Sequence, residues 1–281
     1  MKVLLSLLLL LPAAGPASAW WLDADHTFGD RGLEKTSASF FLKPAARWVT
    51  GLNAGYYKDD GAYPEKIWAL RLPAMLNLKK GLITLKPFFY PERGAYDSSA
   101  WGAKAGLMLP VTDEGPDGYT HLSLSAAGSR QKTLDLAGDG KNLSAYALEA
   151  QIEKNYFDQF FFLAHASGFL ADGPAAASLP APSLDHSDLA FLGAFAHITA
   201  GPEWAAGMQF ARNMEPDYDS HVYAGFSRIS FRSAPQASSA IFGMRLKLWE
   251  TSSIDLGYNL YKPDGSGSRN RYKLLYQVFF Q

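Results

Sequence analysis

The sequence predicts an all-β protein, and within that class a transmembrane antiparallel β-barrel of about 12–14 strands. Apolar and polar residues alternate with a period of two in segment after segment of about ten residues, the pattern of strands with unlike faces. Clusters rich in Gly, Asp, Asn and Pro separate these segments, as turns do. No long window shows helical periodicity with caps, and no apolar run after residue 19 reaches the roughly 18 residues of a spanning helix.

Residues 240–250 show the alternation clearly. Ala240, Phe242 and Met244 share one face of the predicted strand, and Arg245 and Lys247 lie on the other. Across the chain one face is apolar and the opposite face is mixed, polar and rich in glycine. The same test gives about fourteen strands, or twelve if short neighbours merge: 33–43, 46–58, 65–78, 81–90, 99–111, 118–130, 143–154, 159–170, 188–199, 203–213, 221–232, 239–250, 253–261 and 271–280.

The composition narrows the functional classes. The chain has 281 residues, of which 48% are hydrophobic and 19% charged, which excludes a disordered segment or a coiled coil. Its formal net charge of -1 gives no strong field for nucleic acid, so we expect no nucleic-acid partner. Because there is no cysteine, a disulfide framework, a Cys-based zinc site and a thiol nucleophile are excluded.

The first nineteen residues have the features of a secretory signal peptide. Lys2 supplies a positive charge, residues 3–11 form an apolar stretch, and residues 17–19 (Ala-Ser-Ala) form a cleavage site. The apolar stretch is about half as long as a spanning helix requires. We therefore expect a signal peptide over 1–19, export from the cytoplasm, and one β-barrel domain over 20–281.

Two architectures accommodate such strands. A secreted soluble sandwich or propeller would bury the apolar faces as a core, whereas a membrane barrel would turn them to lipid around a polar interior. Strands of about 9–11 residues match a tilted span of the hydrocarbon layer, which favours the barrel. Aromatic residues near the ends of the segments favour it too, because membrane barrels carry aromatic girdles at both interfaces: Trp48, Tyr56, Trp68, Trp101, Trp204, Trp249 and Tyr258.

The last predicted strand adds a resemblance to a known family. Tyr272, Leu274, Tyr276, Val278 and Phe280 alternate up to the penultimate position. This pattern resembles the C-terminal assembly signal of Gram-negative outer-membrane β-barrel proteins, except that the terminal aromatic is followed here by Gln281. The resemblance implies an outer-membrane location, the lipid bilayer as the surroundings, and recognition by the barrel-assembly machinery through the last strand.

Two segments leave alternatives open. Residues 20–26 either cap the periplasmic mouth or add an edge strand. The Ala-, Pro- and Ser-rich residues 172–188 either fold into the mouth as a constriction or form an outer surface loop. With the C-terminus periplasmic, the strand list puts this long loop on the periplasmic side, where barrels of this kind have short turns. One miscounted strand after residue 172 would restore the usual arrangement.

His121 and Ser123 are the strongest candidates for chemistry. Residues two apart on a strand share a face, so the imidazole could take a proton from the hydroxyl, as in outer-membrane lipid hydrolases with a His-x-Ser pair. However, Leu124 follows the serine where such families often have Asn, and the alternation turns both residues to the lumen, away from lipid. The histidines show no metal-ligand spacing, and no motif indicates a cofactor.

Charged residues on the predicted lumen face carry the remaining functional signal. In this set basic residues outnumber acidic ones, which favours anionic or polyhydroxylated solutes. We expect a passive pore or transport channel for small solutes, with no residue acting catalytically. The alternatives are a lipid hydrolase that uses Ser123 and His121, or a closed barrel whose loops bind a partner. The pore-lining candidates are Arg71, Lys86, Lys104, Arg130, Glu149, Glu153, Arg245, Lys247 and Lys273.

Overall fold

The computed structural model describes residues 19–60, 63–91, 99–115, 118–134, 140–156, 159–172, 185, 201–214, 220–232 and 234–280. Residues 1–18 of the expected signal peptide lie outside the described residues. Within the described ranges, no helix is long and apolar enough to cross a membrane.

Nearly all of the described chain is β-strand, so the predicted all-β class is confirmed. One 3₁₀ turn, Asp30–Gly32, joins the first two strands. The strand segments are β1 (Trp20–Gly29), β2 (Leu33–Ala45), β3 (Trp48–Asp59), β4 (Tyr63–Arg71), β5 (Ala74–Asn77), β6 (Leu82–Tyr90), β7 (Ser99–Gly115), β8 (Gly118–Leu134), β9 (Gly140–Tyr156), β10 (Phe160–Ala171), β11 (Pro202–Asn213), β12 (His221–Phe231), β13 (Ala237–Trp249), β14 (Ser252–Pro263) and β15 (Arg269–Phe280).

The strands form a closed antiparallel barrel. Each pairs with its neighbours in chain order, and the ring closes because β1 pairs with both β2 and β15. The closing register joins Trp20 to Phe280 and Gly29 to Arg271. β4 and β5 are two parts of one strand, since both pair with β3 and with β6. The described chain is therefore a 14-stranded barrel, as the sequence predicts.

The break between β4 and β5 lies at Leu72 and Pro73. A proline nitrogen has no hydrogen to donate, so a regular ladder cannot continue through it. The wall nevertheless stays joined, because the Gly51 N–H donates to the Pro73 carbonyl at 2.8 Å and the Leu72 N–H donates to the Pro87 carbonyl at 2.9 Å.

The structure bears on two expectations about strand order. Residues 20–26, for which the sequence left a cap of the mouth or an edge strand open, form part of β1, a full strand of the barrel wall. The predicted strand 188–199 lies outside the described residues, and β10 pairs directly with β11, from Phe160↔Arg212 to Gly168↔Trp204. Five strands therefore follow the 172–201 connection. This connection lies at the end of the barrel opposite Trp20 and Phe280; we call these the loop end and the terminal end.

The outer face of the barrel is apolar. Large hydrophobic side chains project from almost every strand and are exposed, with Leu148 and Leu170 each 69% accessible. Exposing such a belt to water would cost roughly 25 cal/mol of free energy per Å² of apolar surface, and contact with the hydrocarbon of a bilayer would remove that cost. Aromatic side chains mark its edges: Trp101 lies at the loop end and Trp48 at the terminal end.

Candidate functional site in the barrel lumen

Eight of the nine predicted pore-lining residues lie on the inner face. The strand register and the contacts described below place them there. Arg130 lies instead on the outer face. It pairs with the exposed Trp101, and the period of two groups it with Leu122 and Leu124, which project outward. The inner-face members are Arg71, Lys86, Lys104, Glu149, Glu153, Arg245, Lys247 and Lys273.

The lumen contains a cavity of about 640 Å³. One wall, formed by β1 to β6, carries polar groups that include Asp25, Lys35 and Asn53. The facing wall, formed by β9 to β11, carries Phe161, Leu163 and His165, together with glutamines. The charged groups of the cavity therefore lie mainly on the β1–β6 wall, whereas apolar side chains lie on both walls, with Phe41 and Ile67 on the first and Phe161 and Leu163 on the second.

Asp185, from the connection between β10 and β11, reaches the polar wall of this cavity. Its Oδ1 accepts a hydrogen bond from Arg71 Nε at 2.7 Å and lies 3.2 Å from Lys86 Nζ. Its Oδ2 accepts a hydrogen bond from the Tyr90 hydroxyl at 2.6 Å, and the residue is 2% exposed. The contact places the Asp185 carboxylate inside the lumen, as the constriction alternative expects of this residue, while residues 173–184 and 186–188 lie outside the described residues.

The charges around Asp185 keep it ionised. Burial by itself would raise the pKa of its carboxyl. The positive charges of Arg71 and Lys86, with the hydrogen bonds from Arg71 and Tyr90, outweigh burial and hold the pKa well below its usual range. Because the pKa of this carboxyl is lower in the folded protein, its ionised form stabilises the fold at pH values above the ordinary titration range of a carboxyl. This stabilisation is lost only as the pH falls through the lowered pKa. The contact therefore persists at neutral pH.

A second buried charge pair crosses three strands. Lys104 Nζ on β7 donates to Glu149 Oε1 on β9 at 2.8 Å, and the Ser167 hydroxyl on β10 donates to Glu149 Oε2 at 2.9 Å. Lys104 can reach over β8 because the small residues Ser125 and Ala127 lie between the two. The side chains of the pair are only 7% and 4% exposed. These contacts connect the inner faces of β7, β9 and β10.

A third cluster joins β12, β14 and β15 beside a smaller cavity of about 120 Å³. Asp255 accepts from the Tyr223 hydroxyl at 2.7 Å and from Lys273 Nζ at 3.2 Å. The Tyr223 ring lies against Gly243 and Gly257, where any Cβ would meet its phenol oxygen. Glycine at these two positions lets the tyrosine lie flat along the wall and reach the carboxylate.

The terminal end of the lumen combines amides with aromatic rings. Arg245 donates to Gln277, which in turn donates to Asp23 at 3.0 Å. Trp21 stacks on Phe41 with ring centroids 4.7 Å apart. The charged side chains of Arg245 and Asp23 near this mouth are therefore both hydrogen-bonded to Gln277.

His121 and Ser123 both lie on the inner face of β8, as the alternation predicts. His121 pairs across the ladder with Glu153 and its ring lies 4.4 Å from that of Tyr119. Glu153 accepts a hydrogen bond from the Tyr119 hydroxyl at 3.3 Å. Because the lumen face is separated from lipid by the barrel wall, this geometry does not offer the pair access to a bilayer substrate.

Several inner-face residues were missed by the sequence reasoning. The period of two that places Lys273 on the lumen face of β15 also places Arg271 there, and the same rule places Asp255 on the lumen face of β14. Both residues could therefore have been predicted from the sequence. Asp25 was missed because β1 was not assigned as a strand, whereas Lys35, 3.6 Å from it, lies within the predicted strand 33–43 but was not among the candidates. Asp185 carried no signal, since it belongs to no strand pattern.

The fold and the polar lumen are those of bacterial outer-membrane β-barrel proteins. CymD, a monoaromatic hydrocarbon channel, superposes with a TM-score of 0.57 at 12% identity, covering 94% of this chain and 88% of CymD. The P. putida toluene transporter TodX gives 0.54 at 11% identity, with 96% and 92% covered. CdiB from Acinetobacter baumannii gives 0.54 at 11% identity over 94% of this chain, which spans only 60% of CdiB.

These similarities are similarities of fold. At such low identity they do not define a subfamily for this chain. No protein-family model matches the sequence, and no curated protein is significantly similar to it.

Proposed function

We propose that this protein is a passive outer-membrane channel for small solutes. The observation that carries the proposal is the cavity of about 640 Å³ inside a closed barrel, lined by charged and polar side chains of the inner face. Two proteins of similar fold are by name a hydrocarbon channel and a toluene transporter, which supports the same class.

The proposed selectivity follows from the inner-face charges. Basic residues outnumber acidic ones among the eight predicted pore-lining residues that lie inside, which favours anionic or polyhydroxylated solutes. Several of these charges are neutralised by a partner: Lys104 by Glu149, and Lys273 by Asp255. The preference for anions is therefore expected to be modest.

The remaining expectations about the setting belong to the same proposal. Residues 1–19 direct export, residues 20–281 form the barrel, and the apolar belt contacts the lipid of the outer membrane. β15 is the strand through which the barrel-assembly machinery recognises the chain. By the usual arrangement of such barrels, the terminal end is periplasmic and the loop end is extracellular.

We expect the detergent-extracted protein to migrate as a compact, faster band on a gel before boiling, and to conduct ions in a planar bilayer. In a KCl gradient, the reversal potential should show a modest preference for chloride. A folded barrel without conductance would contradict the channel and favour a closed structural barrel. A protein found only in the soluble periplasmic fraction would contradict the membrane location.

Ser123→Ala separates the channel from the lipid-hydrolase alternative. We expect unchanged conductance, because Ser123 lies on β8 and makes none of the cavity contacts described above. Wild-type and variant proteins should be assayed side by side for conductance and for hydrolysis of lipid esters. Hydrolysis by the wild type that Ser123→Ala abolishes would establish the enzyme instead.

A further inference from the structure

Three inner-face side chains converge on one carboxylate. Arg71 ends β4, and Lys86 and Tyr90 both lie on β6; all three contact Asp185. We propose that Arg71, Lys86 and Tyr90 form a binding site for the carboxylate of a small organic acid, and that Asp185 occupies this site as an internal competitor. The inference rests on the proposed channel function and names its class of solute.

The three donors have the chemistry of a carboxylate site. A guanidinium group presents its N–H donors in a fixed plane, a lysine ammonium adds a point charge, and a phenol adds a short neutral hydrogen bond. Here the carboxylate receives one contact of each type, at 2.7, 3.2 and 2.6 Å. Any other carboxylate of suitable size can accept the same contacts.

The site is preorganised by the barrel wall. Arg71 Nη1 donates to Asn53 Oδ1 at 2.8 Å, and Asn53 Nδ2 donates to the Ser39 hydroxyl at 2.6 Å. Arg71 Nη2 also donates a hydrogen bond to the Tyr90 hydroxyl oxygen at 3.4 Å. These contacts hold the guanidinium in place without the help of Asp185. The binding geometry therefore belongs to the strands, whereas the carboxylate is supplied by a connection.

The electrostatics require an anion at this position. Tyr90 is 2% exposed, and the side chains of Arg71 and Lys86 are 16% and 27% exposed, so water solvates the two charges only in part. Leaving two neighbouring cations without an anion in such surroundings is costly. If the Asp185 charge is removed, a free carboxylate is the natural replacement.

The adjoining cavity suggests what the rest of the acid looks like. Arg71, Lys86, Tyr90 and Asp185 all line the cavity of about 640 Å³, which is within the usual size range of small-molecule sites. Phe161 and Leu163 line it as well. A carboxylic acid with a small apolar body would bind its charge at Arg71 and place its body against these side chains.

Asp185→Asn tests the site, because it keeps the shape of the side chain and removes its charge. Benzoate is the probe, and benzamide is its uncharged counterpart. Binding to the purified full-length protein in detergent should be measured by calorimetry at constant ionic strength. An internal competitor present nine-tenths of the time weakens apparent affinity about tenfold. We expect Asp185→Asn to bind benzoate at least about tenfold more tightly than wild type, with benzamide binding unchanged.

Asp255→Asn is the matched control. Asp255 also accepts hydrogen bonds from a tyrosine and a lysine on the inner face, so its replacement removes the same charge from the lumen. We expect no gain in benzoate affinity from it. Equal gains in both variants would overturn the site, since a general change in lumen charge would then explain the effect.

Variants of the donors complete the test. Adding Arg71→Gln to Asp185→Asn should abolish the gain in benzoate binding. Tyr90→Phe, which keeps the ring, should reduce the gain several-fold by removing one hydrogen bond. Each variant must show the compact unboiled gel band. A folded Asp185→Asn barrel that conducts ions and binds benzoate no better than wild type overturns the carboxylate site and leaves the channel. Absence of conductance in wild type and Asp185→Asn overturns the channel itself.

Discussion

Lys104→Met is expected to destabilise the folded barrel by about 3–5 kcal/mol, the usual cost of removing one partner of a buried ion pair. The Glu149 carboxylate would remain buried on the inner face without its ammonium partner, while the Ser167 hydroxyl still donates to its Oε2. With the side chains of the pair 7% and 4% exposed, water replaces little of the lost interaction. Reversible urea unfolding from lipid vesicles, followed by tryptophan fluorescence, measures the change.

The double variant Lys104→Met/Glu149→Met serves as the internal control. Removing both charges leaves neither member of this pair buried without its partner, so the stability of the double variant should lie close to that of the wild type. Lys273→Met is the matched single variant, because Lys273 also pairs with an inner-face carboxylate. That pair is more accessible, at 15% and 13%, so we expect a smaller loss. An equal loss from Lys104→Met and the double variant would show that packing, and not charge, is responsible.

Leu148→Arg is expected to cost about 2–4 kcal/mol, because it places a charge on the lipid-facing side of the barrel near the middle of β9. Leu148 is 69% exposed, so the substitution creates no steric clash within the protein. In a soluble β-protein the same exposed position would tolerate arginine with little effect. The variant therefore tests directly whether this face contacts hydrocarbon.

Tyr156→Arg provides the depth control for that experiment. Tyr156 ends the same strand on the same outer face, at the terminal end, where the cost of an arginine falls to about 0–1 kcal/mol. Both variants should be compared in the same vesicle unfolding assay. Similar small losses at positions 148 and 156 would contradict the assignment of this face to lipid.

Local sequence determined most of the wall of this barrel. The period of two in residues 240–250 placed Phe242 outward and Arg245 inward, and the structure has both there. The rule needs no knowledge of partners, because successive side chains on any strand point to opposite sides. The same rule places Arg130 outward with Leu124, because the two lie an even number of positions apart on β8. Trp20–Gly29 also alternates, with His26 as the polar exception on the outer face and Trp21 as the apolar exception on the inner face, but the sequence by itself left residues 20–26 open between a cap and an edge strand.

The tertiary structure decided which inner-face groups meet. Alternation gives the face of Lys104 and of Glu149, but their contact depends on the register of β7, β8 and β9 and on small residues between them. Asp185 is the clearest case, because it reaches Arg71 from 114 positions away in the chain and from outside any strand. A periodic pattern encodes direction within one strand, whereas the meeting of distant side chains depends on how the barrel closes. For that reason the sequence alone predicted a barrel with an apolar outer face and a polar interior, and only the fold revealed the carboxylate held within it.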